Sequence, residues 1–145
     1  MRILYVNDYA DLSGGAELQL ENLRRGIEGK GATTHFFGTA VPIGEPPSYA
    51  DGTQTQGFTG RMQVATSAFN PFALQDLRRV LASFEPDLVH IRMFLWQLSP
   101  AILLPLRHIP VIYQPAVYKA ICPNGRKVLP DGRQCKFQPG KICRR

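Results

Sequence analysis

The sequence lacks the features that mark membrane and secreted proteins. It has no apolar run of about 18 to 20 residues, the length that a bilayer-spanning helix needs. Residues 1–7 form a short apolar start that turns polar at Asp8, without the small-residue cleavage site of a secretion signal. We therefore expect a cytoplasmic protein.

Cysteine is scarce. The chain has 3 cysteines (Cys122, Cys135 and Cys143), and an odd number argues against a disulfide framework. Structural zinc prefers a complete tetrahedral set of ligands, commonly with a closely spaced cysteine pair, which these residues do not supply. We expect no metal site. Reduced thiols, a metal site completed by a further ligand, and a redox or intermolecular role are the open alternatives.

Excess charge is absent from most of the chain. Residues 1–121 carry 10 basic and 10 acidic residues, whereas residues 122–145 carry 7 basic residues and Asp131 alone. The net charge of +6 therefore lies in this tail, which either meets phosphates or anionic lipid or is simply solvated. Because Phe137 is its only aromatic residue, base stacking is poorly supplied and we expect no nucleic-acid partner.

The rest of the sequence has the pattern of alternating strands and helices. Short β-branched and aromatic runs, typical of strands buried on both faces, occupy 2–7, 33–38, 87–91 and 109–113. Apolar residues at helical spacing predict a helix from Ala16 that buries Leu20, Leu23 and Ile27. Asn70-Pro71 begins a second helix, and a shorter one follows Ser99-Pro100. Residues 40–67 show no sustained period and are predicted to form a long loop.

This order predicts an α/β fold, a Rossmann-like doubly wound parallel sheet with strand 1 near the middle. We place one domain at residues 1–121 and a basic, cysteine-containing tail at 122–145, which is either truncated or ends naturally at Arg145. Ligands of such sheets bind beyond the carboxyl ends of the strands. The residues expected to line that cleft are Asn7, Asp8, His90, Arg92 and Gln114.

Two glycines follow the first strand. In Ser13-Gly14-Gly15-Ala16-Glu17, glycine permits close approach of a ligand to the backbone, and the free amides of the helix start attract an anion. Gly14 and Gly15 are therefore candidates for binding a phosphate or diphosphate. The alternative is a tight turn with no ligand. Neither the G-x-G-x-x-G fingerprint nor a P-loop is present.

Several other side chains have two interpretations. His90 either hydrogen-bonds a ligand or is satisfied by a nearby carbonyl, and Arg92 either meets an anion or is a surface cation. We expect His35 and His108 to be structural. The apolar residues at 94, 95, 96 and 98 either pack in the core or line an acceptor site at a membrane edge.

Together these motifs resemble the amino-terminal half of family 4-like glycosyltransferases of GT-B fold. The resemblance rests on Gly14-Gly15-Ala16-Glu17 after the first strand, on Pro86-Asp87-Leu88-Val89-His90-Ile91, and on Ser99-Pro100 followed by the strand at 109–113. Cys122-Pro123 with the later cysteines is similar to a segment of some members. The likeness covers nearly the whole chain and is weakest over 40–70.

The resemblance implies sugar transfer from a nucleotide sugar to a sugar or lipid-linked acceptor, usually with retention, without a metal ion or cofactor. It implies that Gly14 and Gly15 contact the donor's diphosphate or sugar, and that the amino-terminal half mainly binds acceptor. The nucleotide half would be a Rossmann-like carboxyl domain in the same or another chain. Peripheral contact with the inner face of the membrane fits a lipid-linked acceptor. The catalytic residues are not identified.

Two departures from the family pattern support an alternative. Many relatives have a His-Asp pair a few residues before the Cys-Pro, where this chain has Ala116 and Val117. The second histidine of the common His-x-His is here Arg92. The alternative is a degenerate, non-catalytic binding or partner module of the same fold. In either case we expect the chain to be inactive alone.

Overall fold

A computed structural model describes residues 1–12, 14–40, 52–123, 125–129, 131–136 and Cys143. The chain divides into two compact units, residues 1–114 and 115–145. The first contains the strands β1 (Arg2–Tyr9), β2 (Thr33–Ala40), β3 (Gly52–Gln56), β4 (Leu88–Ile91) and β5 (Val111–Tyr113). Its helices are α1 (Gly15–Glu28), α2 (Gly60–Ala68) and α3 (Pro71–Phe84), and a 3₁₀ helix covers Pro100–Leu106.

The strands form a parallel sheet of 5 strands in the order β3-β2-β1-β4-β5. β1 is central, and the order of the strands reverses between β1 and β4. The prediction of a Rossmann-like doubly wound α/β sheet with strand 1 near the middle is confirmed. In such sheets the point of reversal opens the crevice in which ligands bind.

Alternate residues of β1 enter two apolar clusters. Leu4 and Val6 pack with Leu77 of α3 and with the 3₁₀ helix, whereas Ile3 and Tyr5 pack with Leu20 of α1. Both clusters are buried, so the central strand is apolar on both faces. This explains why its sequence shows no alternation of polar and apolar residues.

The capped start of α3 is confirmed. The Asn70 side chain accepts a hydrogen bond from the Ala73 amide at 3.1 Å, and Pro71 lies in the first turn, where it needs no amide partner. The helix ends at Glu85, which adopts a left-handed conformation with φ 45°, directly before Pro86.

The prediction of a long loop over 40–67 is wrong for its described part. Residues 52–56 form β3 and residues 60–68 form α2, while 41–51 lie outside the described residues. β3 consists of Gly, Thr and Gln, and Thr66 is the one α2 residue that is fully buried. Because neither segment has an apolar stripe, neither gives the periodic signal on which the prediction depended.

Helix α1 also turns a different face to the sheet than expected. Leu23 is 39% exposed, whereas Glu17, Glu21 and Arg24 are buried beside Leu20. The buried charges are paired, since Arg24 Nε donates to Glu21 Oε2 at 2.9 Å. Burial acts to raise the pKa of Glu21, but its hydrogen bonds from Arg24 and Arg25 outweigh that effect and lower the pKa below its usual value.

The second unit has little regular structure in its described part. It contains a short 3₁₀ turn at Tyr118–Ala120 and an isolated antiparallel bridge between Val128 and Gln134. The division between the units falls after Gln114, ahead of the boundary expected from the sequence. No helix among the described residues is long and apolar enough to cross a membrane.

Candidate functional site

Asn7 lies in the fully buried part of β1, two residues before the strand ends at the carboxyl edge of the sheet. Its Nδ2 donates to the Tyr9 carbonyl at 2.9 Å and to Glu17 Oε1 at 3.2 Å. Its Oδ1 is buried and has no hydrogen-bond partner. An amide oxygen in that state carries a desolvation cost unless a ligand donates a hydrogen bond to it.

The two glycines that open α1 have different surroundings. A Cβ added at Gly14 would overlap the Glu17 carboxylate, whereas a Cβ added at Gly15 would meet no atom within 4 Å. Glu17 therefore closes the Gly14 side of the turn, and the Gly15 side stays exposed. A phosphate would approach this turn at Gly15 or would displace the carboxylate. Ser13 lies outside the described residues. Binding of donor phosphate at Gly14 and Gly15 stays a prediction.

His90 pairs with Tyr5 across the two strands between which the sheet order reverses. The two rings are 5.3 Å apart, and the His90 Nε2 is buried without a hydrogen-bond partner. The alternative of a structural histidine requires a nearby carbonyl as hydrogen-bond partner. No described carbonyl accepts a hydrogen bond from Nε2. Burial lowers the pKa of His90 below its usual value, a hydrogen bond with the Gln114 side chain opposes this, and the charge of Arg92 lowers the pKa further.

Arg92 directly follows β4, two residues after His90. Its backbone amide donates to the Val6 carbonyl at 2.9 Å, so it continues the line of β4 beside β1. The side chain is 7% exposed, which excludes the interpretation as a surface cation. Its Nη2 donates to Gln19 Oε1 of α1 at 2.6 Å, and its Nε has no partner.

Asp8 has a different environment from the cleft-lining one that we expect. It is fully buried, and its carboxylate accepts hydrogen bonds from backbone amides of the loop after β4. Oδ1 accepts from Gln97 and Leu98 at 2.8 and 3.0 Å, and Oδ2 accepts from Trp96 at 3.1 Å. Burial raises the pKa of Asp8, although these amides oppose the effect. Asp8 therefore fixes the loop beside the cleft.

That loop has two further attachments that the sequence did not reveal. The Gln97 side chain exchanges two hydrogen bonds with the Phe58 backbone, each 3.0 Å long. The Asn70 Nδ2 donates to the Gln97 carbonyl at 2.7 Å. No local motif marks a glutamine whose partner lies 39 residues away. Phe94 and Leu98 belong to the core cluster, as the core interpretation of this segment predicts.

The remaining candidates of the first unit are Gln114, His35 and His108. Gln114 is exposed, its amide donates to the Ile91 carbonyl at 2.9 Å, and its side chain hydrogen-bonds His90. His35 Nε2 lies 2.9 Å from Thr53 Oγ1, and its ring packs against Phe84, in keeping with a structural role. His108 is exposed. In the second unit, no disulfide bond joins the described residues Cys122, Cys135 and Cys143.

Three of the predicted site residues form what we call the switch-point cluster: Asn7, His90 and Arg92. Each is at least nine-tenths buried, and each lies at the carboxyl end of β1 or β4. Each also has a polar atom without a hydrogen-bond partner among the residues that the structure describes. Tyr5, beside them, also has a buried hydroxyl without a partner. Native proteins leave few buried polar atoms unpaired, so this concentration makes the switch-point cluster the candidate site for a polar ligand.

Comparison with known proteins assigns no family. No protein-family profile matches the chain, and none of the curated proteins is significantly similar to it. Within the described residues, no group of three or more His, Cys, Asp or Glu side chains could hold a metal ion.

Proposed function

We propose that the chain is the amino-terminal, acceptor-side domain of a GT-B glycosyltransferase. The enzyme would transfer a sugar from a nucleotide sugar to a sugar or lipid-linked acceptor, with retention and without a metal ion. The observation that carries the proposal is the switch-point cluster, whose unpaired atoms are buried at the reversal of the strand order. They comprise an acceptor, Asn7 Oδ1, and a donor, Arg92 Nε–H.

A sugar suits this combination of atoms. Each hydroxyl both donates and accepts a hydrogen bond, so one polyhydroxylated ligand can satisfy Asn7 and Arg92 at the same time. Asp8, next to Asn7 on β1, holds the loop at 96–98 through three backbone amides, and a fixed loop at this end of β1 favours orientation of a bound acceptor.

The chemical need in this reaction is to stabilise the departing diphosphate. Backbone amides at Gly15 and the cation of Arg92 are the groups of this unit that can contribute to it. A second Rossmann-like domain would hold the nucleotide, in the same or another chain. We therefore propose that residues 1–145 bind ligand but do not turn over alone.

The test measures nucleoside diphosphate release and sugar transfer from a panel of UDP- and GDP-linked hexoses. It uses residues 1–145 alone and residues 1–145 joined to any second Rossmann-like half encoded after Arg145. We expect no turnover from the first and transfer from the second, lost on His90→Gln. Transfer by residues 1–145 alone would overturn the need for a second domain. If no nucleotide sugar is turned over by either form, the enzymatic proposal fails.

The second candidate is a non-catalytic binding module of the same fold. It is favoured by Ala116 and Val117, which stand where relatives have a His-Asp pair. This candidate predicts that the joined protein binds nucleotide or sugar with the switch-point cluster but transfers nothing. Ligand-observed NMR on the same samples separates the two, because it detects binding whether or not transfer follows.

A further inference from the structure

Arg92 is a buried cation that has no acidic partner in the described part of the chain. It is 7% exposed, and none of the described carboxylates forms an ion pair with it. Its side chain donates a hydrogen bond to the neutral Gln19, an exposed residue. Taking a guanidinium out of water costs several kcal/mol unless an opposite charge and hydrogen bonds compensate it.

Arg24, the other buried arginine among the described residues, shows how such a charge is compensated. Arg24 is 6% exposed, and its Nε lies 2.9 Å from Glu21 Oε2, with Glu28 Oε1 3.9 Å from its Nη1. Both arginines lie between α1 and the sheet. The fold therefore supplies carboxylates to Arg24, which lies away from the cleft. It supplies no described carboxylate to Arg92, which lies at the cleft.

The neighbours of Arg92 do not provide the missing charge. His90 bears no negative charge in any state, and Asn7 is neutral. Glu17, on the same helix as Gln19, hydrogen-bonds Asn7 and covers Gly14, and it forms no ion pair with Arg92 among the described residues. The unpaired Nε of Arg92 thus lies among unpaired neutral groups.

We infer that Arg92 binds a phosphate group of a substrate, with Asn7 and His90 hydrogen-bonding the atoms next to that phosphate. A guanidinium matches phosphate geometry, because its N–H groups bind two oxygens side by side. The inference rests on the proposed function, in which the phosphate belongs to a phosphorylated acceptor or to the donor diphosphate. The inference adds that the negative charge of this phosphate holds the substrate at Arg92.

The experiment follows the Arg92 Nε–H and His90 ring signals by NMR during titration with inorganic phosphate, with sodium chloride adjusted to constant ionic strength. We expect saturable shifts in the wild type and their loss in Arg92→Gln. The matched control is Arg78→Gln, which removes an exposed arginine on α3. It should leave the His90 response unchanged. Should phosphate leave both signals in place, or move His90 equally in Arg92→Gln, the inference is overturned.

A thermal measurement keeps the test valid if Arg92→Gln folds poorly. Phosphate should raise the melting temperature of the wild type and of Arg78→Gln, while Arg92→Lys should keep only part of that rise. Binding of an anion to the folded state alone produces such a shift. An equal rise in all three proteins would place the phosphate elsewhere and overturn the inference.

Competition then distinguishes the source of the phosphate. Glycerol phosphate represents an acceptor and UDP represents the donor product, and each is titrated against the His90 signal. Displacement of phosphate by either one supports the site and identifies its source, whereas displacement by neither contradicts a substrate role. Failure of sugar transfer with intact phosphate binding would reject only the proposed function. Sugar transfer without phosphate binding at Arg92 would reject only this inference.

Discussion

Gly15 shows how far a single residue could be interpreted from the sequence. Its place between a strand and a helix predicted a ligand contact, and the structure leaves it exposed at the first position of α1. What the sequence did not reveal is that Gly14 differs, because Glu17 folds back over it. That contact depends on a side-chain rotamer, which no spacing rule encodes.

The first prediction follows from that exposure. Gly15→Val should change the free energy of unfolding by no more than about 0.5 kcal/mol, since the added atoms meet nothing and the backbone is not left-handed. It should nevertheless weaken UDP binding, measured by NMR, because the branched side chain covers the amides of the turn. Urea unfolding gives the stability. Gly26→Val, on the same helix and equally open, is the control. Equal losses of stability and binding would identify the turn as structural.

Among the elements, the sequence predicted β1, β2, β4, β5 and α3. It did not predict β3, α2 or which face of α1 is buried. Apolar runs and a capped helix start give local signals that tertiary packing then reinforces. The face of α1 shows the opposite case. Glu21 and Arg24 can be buried because they pair with each other, and a pattern based on apolar residues assigns such a stripe to solvent.

The loop after β4 carries the second prediction. Asp8→Ala would leave the amides of Trp96, Gln97 and Leu98 without their acceptor. The amides of Gln97 and Leu98 are buried, and each costs about 1–3 kcal/mol when unpaired, so the total loss should be at least about 2 kcal/mol. Asp8→Asn keeps one acceptor oxygen and should lose less. Denaturant unfolding of the three proteins measures this, and a loss near zero for Asp8→Ala would show that water replaces the carboxylate.

For the whole molecule, the sequence predicted the sheet and which polar residues lie at its carboxyl edge, but not the charge balance of that edge. The rule that parallel sheets bind ligands beyond their carboxyl ends placed Asn7, His90 and Arg92 together without any knowledge of contacts. Which of them would be buried and unpaired depends on α1 and on the loop at 93–99. These come from distant parts of the chain.

The pH dependence of stability is the third prediction, and it belongs to this scale. The folded-state pKa of His90 lies below its unfolded value, mainly because of burial. Its neutral form is therefore favoured by folding, and that stability is fully present above about pH 6.5 and is lost as the pH falls through the folded pKa. Folding also lowers the pKa of Glu21. The stability that Glu21 contributes is therefore lost only when the pH falls below the pKa of this residue in the unfolded chain.

Asp8 acts in the other direction, because its raised pKa favours the protonated form as the pH falls. A variant comparison therefore isolates the histidine. Between pH 7 and 5.5 the wild type should lose more melting temperature than His90→Gln, which cannot take up the proton. An identical decline in both proteins would show that the His90 ring gains a proton without cost, and hence that it is not held neutral beside Arg92. Adding phosphate should reduce the wild-type decline, because an anion between the two residues offsets the charge that protonation brings.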